Sequence, residues 1–257
     1  GGMLRLGVPE YRLPTRIIER EVQDILDLGI DLRLNTRVND LDELFDQGFE
    51  AVLIAVGAHE GIKLPIPGAE LGGVLINTHF LRDVRLGKYD RPDSGSSQLG
   101  NNVLVLGGGN VAIDCARSAI RLGKHVQMAC LESRAGMPAH GWEIEAALAE
   151  GIGIHNDRTF ERIVGDADGR VVGVECMLVE SFHFDDAGRL HVEKQPDSLH
   201  LIKCDTVIFS VGQRAGLAFL PDDAGVGLTE KNTIAINPNT FAATRPGVFA
   251  AGDSVSG

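Results

Sequence analysis

The chain has 257 residues, which is enough for one large domain or two modest ones with their own hydrophobic cores. Hydrophobic residues make up 44% and charged residues 23%, as in ordinary soluble globular proteins. The formal net charge is −12 without a dense basic patch, and no apolar run approaches the roughly 20 residues of a membrane span. These features exclude a nucleic-acid-binding or membrane-spanning class.

Glycine is abundant, with 32 residues, and aromatic residues are scarce at 5%, which suits parallel sheets joined by tight turns. None of the cysteines belongs to a C-x-x-C pair, and we expect small buried thiols in a reducing cytoplasm. They are Cys115, Cys130, Cys176 and Cys204. The chain is therefore expected to carry neither a redox-active dithiol nor a metal site.

The spacing of apolar residues predicts an α/β protein. Helices are predicted, in chain order, over 15–28, 41–47, 78–86, 110–122 and 141–150. Strands are predicted over 30–34, 51–56, 103–106, 126–131, 152–155, 160–164, 171–180, 189–192, 199–203 and 206–211. Most of the short strands from 152 onward are expected to be antiparallel. A polar, turn-rich linker is predicted over 87–101.

Two predicted strands end alike, as Val-Leu-Ile-Ala-Val-Gly at 52–57 and Val-Ile-Phe-Ser-Val-Gly at 207–212. A related end, Val-Phe-Ala-Ala-Gly-Asp, closes at residue 253. Two nucleotide-binding domains with matching final strands would produce this repetition.

The most informative stretch is 103–132, which reads as strand, glycine turn, helix and second strand. Its turn fits the dinucleotide-binding pattern G-x-G-x-x-A. Gly107 allows a sharp turn, Gly109 removes a side chain where a pyrophosphate would touch the main chain, and Ala112 lets the helix pack closely. Glycine turns also occur in α/β proteins that bind no nucleotide, so the order of all the parts carries the prediction.

The helix and the second strand complete this pattern. Asn110 and Val111 open the helix, whose free N–H groups attract phosphate. Glu132 lies at the tip of the second strand, about 20 residues past the glycines, where an acid can bind ribose hydroxyls. We therefore predict a complete nucleotide-binding domain over 102–212.

Motifs along the whole chain resemble those of a known family. They are Gly-Gly-Met-Leu at 1–4, Gly-Val-Pro-Glu-Tyr-Arg-Leu-Pro at 7–14, the glycine turn and helix at 106–117, Met-Pro at 137–138, Ser-Val-Gly-Gln at 210–213 and Ala-Gly-Asp at 251–253. The chain resembles the flavin subunit of glutamate synthase, its small or beta subunit. It is similarly close to the flavin half of dihydropyrimidine dehydrogenase and of NADH-dependent ferredoxin-NADP reductases.

The resemblance implies two Rossmann-like dinucleotide-binding domains, with an NAD(P) domain over 96–213 inserted into an incomplete FAD domain over 1–95 and 214–257. It implies hydride transfer from a nicotinamide dinucleotide to FAD. Electrons would continue to iron–sulfur clusters in missing segments or in a partner, an iron–sulfur or larger catalytic subunit. The flavin supplies the chemistry, and we predict no catalytic acid–base residue.

The resemblance also implies roles for individual residues. Those implied to lie along FAD are Gly2, Leu4, Arg12, Val38, Gly252 and Asp253. Those implied to contact NAD(P) are Gly107, Gly109, Asn110 and Val111 at the pyrophosphate, Leu131, Glu132 and Arg134 at the tip of the second strand, and Ser210, Val211 and Gly212 at the nicotinamide. From the residues alone, Arg12 could equally form a surface ion pair and Asp253 a turn.

The chain departs from the family in two ways. The strand and glycine fingerprint that bind FAD are absent before Gly2, so we expect an internal piece of a longer flavoenzyme that does not retain FAD tightly and is inactive alone. Leu131 and Glu132 stand where the family has basic residues for the 2′-phosphate of NADPH. This favours NADH, while Arg134 keeps NADPH open.

Two other classes remain open. One is a thioredoxin-reductase-like oxidoreductase, against which the missing C-x-x-C argues. The other is a nucleotide-binding or docking module without turnover. The sequence does not name the final electron acceptor.

Overall fold

The computed structural model describes residues 1–89, 99–185, 189–221 and 223–257. Helices occupy Gly2–Leu6 (α1), Thr15–Leu26 (α2), Asp42–Asp46 (α3), Asn77–Arg85 (α4), Asn110–Arg121 (α5), Gly141–Ala149 (α6) and Asp253–Ser256 (α7). Within the described ranges, no helix is both long and apolar enough to cross a membrane. Residues 90–98 of the predicted linker lie outside the described residues.

Strands are short and run through most of the chain. They are Val52–Ile54 (β1), Glu60–Gly61 (β2), Val74–Ile76 (β3), Asn102–Leu106 (β4), His125–Ala129 (β5), Gly153–His155 (β6), Arg162–Gly165 (β7), Val171–Cys176 (β8), Val179–Phe184 (β9), Leu190–Lys194 (β10), His200–Lys203 (β11), Thr206–Phe209 (β12), Gln213–Arg214 (β13) and Val248–Ala250 (β14).

The chain divides into two compact units. The inner unit is continuous, Gly61–Val211, and the outer unit consists of Gly1–Glu60 and Gly212–Gly257. One unit is therefore inserted, in chain order, between the two segments of the other. The first boundary between the compact units falls at 60/61, whereas the resemblance implies a domain boundary at 95/96.

The boundary at 60/61 follows from β3, a strand that is not predicted from the sequence. β3 pairs in parallel with β12, Val74 opposite Val207 and Ile76 opposite Phe209. The segment before it also packs on the inner unit, where Leu64 and Leu71 join an apolar cluster. Residues 61–89 thus belong with the inner unit in this structure.

A five-stranded parallel sheet forms the centre of the inner unit, in the order β3-β12-β4-β5-β6. Alternate residues of its strands face opposite sides. Val103 and Val105 of β4 join the cluster that includes side chains of α4, α5 and α6, whereas Leu104 and Leu106 join the other cluster. Burial on both faces explains why β4 is continuously apolar from Val103 to Leu106.

The second face of the parallel sheet is covered by a three-stranded antiparallel sheet, β11-β8-β7. β9 and β10 form a separate antiparallel ribbon. The prediction of mostly antiparallel strands from 152 onward is confirmed for β7 to β11, while β6 pairs in parallel with β5.

The outer unit is built around a parallel pair of strands, β1 and β14. Its core combines Ile54 of β1 and Val248 of β14 with Leu41, Leu217 and Ile234. The N–H of Ala251 donates to the carbonyl of Ile54 over 3.1 Å, which ties the end of β14 to the end of β1.

The predicted strand over 30–34 is wrong. These residues form no strand, and Ile30, Leu32 and Leu34 are 54%, 50% and 71% exposed. Their alternating pattern has no neighbouring strand to pair with among the described residues of the outer unit, and a β-strand needs such a partner for its backbone hydrogen bonds.

Glu150 joins the ends of α5 and α6. Its carboxylate accepts hydrogen bonds from Arg117 over 2.6 Å and from Arg121 over 2.7 Å. Burial opposes ionisation of this carboxyl, but the two guanidinium groups outweigh burial and lower the pKa of Glu150 to about 2.

We expect Glu150→Gln to lower the free energy of unfolding by about 1–2 kcal/mol at neutral pH, because the two arginines lose their charged partner. A lowered pKa stabilises the fold above the ordinary value of 4.5, and this contribution disappears as pH falls toward about 2. Urea unfolding measured across this window should show the variant and the wild type converging. Glu145→Gln, on the exposed side of the same helix, is the control, and equal stabilities at neutral pH would contradict the assignment.

Candidate dinucleotide site

Three neighbouring strands of the parallel sheet end at one edge of the inner unit. Beyond β4, β5 and β12 come Gly107, Cys130 and Ser210. Backbone hydrogen bonds hold these loop starts together, because the N–H of Gly107 donates to Ala129 and that of Ser210 to Leu106, each over 2.8 Å. This is the edge at which open α/β sheets bind ligands.

At two glycines of the turn a side chain would meet neighbouring atoms. Gly107 has φ of 135°, and a Cβ there would overlap the carbonyl oxygen of Ser210. A Cβ on Gly108 would lie 2.9 Å from Oε2 of Glu132 and 3.1 Å from Cβ of Cys130. The turn is therefore closed on its inner side, and the Glu132 carboxylate lies beside its middle glycine.

The third glycine faces open space. Gly109 is the N-cap of α5, and the nearest atom to a Cβ there would be Cγ of Pro138 at 4.0 Å. The first helical bond runs from the N–H of Ile113 to the carbonyl of Gly109. The N–H groups of Asn110 and Val111 precede that bond, so this end can bind an anion.

The segment after the predicted Met-Pro motif is fastened to the turn. The N–H of Ala139 donates to Gly108 over 3.1 Å, and the N–H of His140 donates to Oδ1 of Asn110 over 2.9 Å. Met137 is buried beneath it. Since the Asn110 side chain holds this segment, its predicted contact with pyrophosphate would use the backbone N–H.

The tip of β5 carries the other predicted NAD(P) residues. Glu132 and Leu131 are half-buried, and Arg134 is exposed. Burial, followed by the nearby Glu132 carboxylate, raises the pKa of the Cys130 thiol to about 12. The thiol is therefore neutral at physiological pH and is no nucleophile. All four cysteines are buried and free, as predicted.

The end of β12 supplies the residues predicted at the nicotinamide. Ser210 is buried beside Gly107, and Val211 is the last residue of the inner unit. Gly212, with φ of 125°, begins the second segment of the outer unit. Their contact with nicotinamide stays a prediction.

The predicted FAD residues are partly brought together in the outer unit. Gly2 begins α1, and a Cβ there would lie 3.8 Å from Nε2 of His59, shortly after β1. Gly252, with φ of 73°, and Asp253 follow β14, the partner of β1. Gly2, Gly252 and Asp253 are all exposed, and the last two come directly after the end of β14 and Ala251.

The other three FAD candidates are more scattered. Leu4 lies on α1 and is 56% exposed, and Arg12 lies in the turn before α2. Val38 lies in irregular chain before α3 and is half-buried. Neither Leu4 nor Val38 belongs to the apolar cluster described for this unit.

Gly108 and the segment after β6 are not among the site residues predicted from the sequence. Nδ2 of Asn156 donates to the carbonyl of Glu132 over 3.1 Å, and the N–H of Asp157 donates to the same oxygen over 3.2 Å. The signal was indirect, because the residues after β6 adjoin the tip of β5 only if the two strands pair.

A parallel sheet, a glycine turn at a helix start and an acid at the neighbouring strand tip are the features of the Rossmann-type class of folds. The family model for pyridine nucleotide-disulphide oxidoreductases matches residues 15–257. The chain belongs to this family.

The relatives include the subunit beta of an NADP(+)-dependent formate dehydrogenase from Moorella thermoacetica, which is 39% identical over 263 residues. That match covers 100% of this chain and 36% of the relative. The glutamate synthase [NADPH] small chain of Escherichia coli (strain K12) is 29% identical over 268 residues, covering 100% of this chain and 57% of the relative. The resemblance drawn from the motifs is confirmed.

Among solved structures, Mycobacterium tuberculosis FprA in complex with NADPH superposes with a TM-score of 0.72. The two sequences are 16% identical, and the match covers 100% of this chain and 70% of FprA. At this identity the likeness supports the fold alone. The chain spans about a third to a little over half of the two relatives named above.

Proposed function

We propose that the inner unit binds a nicotinamide dinucleotide as the electron donor of a flavin oxidoreductase. The observation that carries this proposal is the Glu132 carboxylate beside Gly108, at the start of α5. The carboxylate of such an acid can accept hydrogen bonds from ribose hydroxyls. The free N–H groups of the neighbouring helix start can bind the pyrophosphate. A glycine turn without a ligand would not need these two features together.

The residues present fit the dinucleotide. The open side of Gly109 leaves room for a pyrophosphate, and the N–H groups of Asn110 and Val111 would bind it. Ser210 and Val211 would lie at the nicotinamide. The outer unit would hold FAD through Gly2, Leu4, Arg12, Val38, Gly252 and Asp253.

When bound, FAD would accept a hydride from the nicotinamide and release its electrons to further carriers. The residues of this chain would bind and orient the two cofactors, and a hydride step needs no acid–base residue from them. The inserted unit over 61–211 would be the NAD(P) domain, and the outer unit part of the FAD domain.

The onward acceptor would be an iron–sulfur cluster or a larger catalytic subunit. Relatives named as a subunit beta and a small chain support a partner of this kind. Four buried, free thiols support a reducing compartment such as the cytoplasm.

The proposal is tested by adding NADH without oxygen to the protein in the presence of FAD. We expect the yellow flavin absorbance to bleach, and NADPH to bleach it more slowly. Flavin that stays oxidised with both dinucleotides would overturn the proposed function.

NADH is the dinucleotide that we propose the site prefers. A carboxylate accepts hydrogen bonds from ribose hydroxyls and repels a 2′-phosphate. Two relatives are named for NADP or NADPH. Arg134 is exposed and lies two residues after Glu132. It would be the residue that contacts the 2′-phosphate when NADPH binds in place of NADH.

We expect Glu132→Arg to reverse the preference. A hydrogen bond to a charged group contributes roughly 1.5–3 kcal/mol, so NADH should bind about tenfold or more weakly and NADPH more tightly. Calorimetric titration with both reduced dinucleotides measures the change. Glu145→Arg makes the same charge change on α6 and should alter neither affinity. Equal wild-type affinities, or no change on mutation, would show that Glu132 does not contact the ribose.

A further inference from the structure

The loop after β6 lies against the tip of β5. The N–H of Arg158 donates to the carbonyl of Cys130 over 2.9 Å, and the N–H of Asp157 donates to that of Glu132 over 3.2 Å. Nδ2 of Asn156 donates to the same Glu132 oxygen over 3.1 Å and approaches Sγ of Cys130 at 3.4 Å. Residues 156–158 thus hold the backbone carbonyls of Cys130 and Glu132 in place.

The loop is itself held in place by Arg158. Its Nη1 donates to the carbonyl of Asn156 over 2.7 Å and to that of Asp157 over 3.2 Å, and its Nε donates to Nε2 of His200 over 3.1 Å. Asp157 has φ of 56°, the left-handed conformation of a tight turn. His200 belongs to β11, so the antiparallel sheet anchors this loop.

The position of the Glu132 carboxylate matters because it lies beside the glycine turn. Its Oε2 would lie only 2.9 Å from a Cβ built on Gly108, so a rotation of the tip would move the carboxylate away from the middle of the turn. Glu132 is followed by exposed residues through Gly136. The Glu132 carbonyl accepts hydrogen bonds from the side chain of Asn156, from the N–H of Asp157 and, at 3.5 Å, from Sγ of Cys130.

We propose that Asn156 is a positioning residue for dinucleotide choice, which acts by fixing the backbone of Glu132 so that the carboxylate meets a ribose with a free 2′-hydroxyl. This inference rests on the proposed function. Asn156 acts through Glu132 and does not touch the dinucleotide. Without the amide donor the Asp157 bond remains, so the chain still folds while the tip gains freedom.

The test measures the affinities for NADH and NADPH in the full chain with Asn156→Ala and with Asn156→Asp, which keeps the shape but replaces the donor by an acceptor. Both variants should lower the ratio of NADH to NADPH affinity by about fivefold to tenfold, the size of one lost hydrogen bond. Asn156→His, which can donate from Nδ1, should retain most of the wild-type ratio. Asn101→Ala, at the opposite edge of the sheet, is the control.

A double mutant separates positioning from general loosening. In a Glu132→Gln background, Asn156→Ala should leave the ratio unchanged, because the carboxylate that it positions is gone. An unchanged ratio in both single variants at Asn156, with Glu132→Gln still lowering it, would overturn the inference and leave the proposed function intact. Absence of any binding by the wild type would instead overturn the proposed function.

Discussion

Changing Gly109 to aspartate is expected to abolish dinucleotide binding while the chain stays folded. Gly109 has φ of −88° and ψ of 175°, which any residue adopts, and a Cβ there has free space. Aspartate is a favoured N-cap and interacts well with a helix start. In the complex the same carboxylate would stand where the pyrophosphate binds. We expect affinity for NADH to fall about 100-fold or more, from steric exclusion and like-charge repulsion.

Calorimetry with NADH measures the loss of affinity, and a thermal melt measures whether the variant stays folded. Gly141→Asp is the matched control, because Gly141 begins α6 and a Cβ there meets nothing within 4 Å. The control should bind NADH as the wild type does. A stable Gly109→Asp protein with unchanged affinity would place the dinucleotide elsewhere.

Gly107→Ala is expected to act on stability. The residue has φ of 135°, where L-residues are strained, and the new Cβ would overlap the backbone oxygen of Ser210. Backbone strain alone costs about 1–3 kcal/mol. Because Ser210 lies at the end of a buried strand and cannot move freely, we expect a total loss of about 3–5 kcal/mol in the free energy of unfolding.

Urea unfolding followed by circular dichroism measures this loss. Gly123→Ala separates strain from overlap, since Gly123 also has positive φ, of 77°, but open space around it. It should cost about 1 kcal/mol. Similar losses for the two variants would show that contact with Ser210 does not constrain the turn.

Much of the inner unit was predictable because its signals are local. The apolar runs at β4 and β5, the helical face of α5 and the glycines between them determine strand, turn and helix within some 30 residues. The expected insertion of an NAD(P) domain into an FAD domain comes from the resemblance, since periodicity alone says nothing about which segments share a core.

The misses depend on long-range pairing. β3 is three residues long, Val74–Ile76, and is a strand because β12 lies beside it. Apolar and polar residues alternate over 30–34 as they do in a strand. The segment nevertheless forms no strand, because no strand of the described outer unit pairs with it. Asn156 was invisible for the same reason, since it reaches Glu132 across 24 residues of chain.

The central claim is that a nicotinamide dinucleotide binds at the glycine turn, with Glu132 at its ribose. The most direct measurement is a nuclear magnetic resonance titration of the isotope-labelled chain with NADH, followed at assigned backbone amides. We predict the largest shifts at Gly108, Gly109, Asn110 and Glu132, and none at Gly225 of the outer unit. Saturable binding that leaves the amides of Gly109 and Glu132 unmoved would contradict the claim.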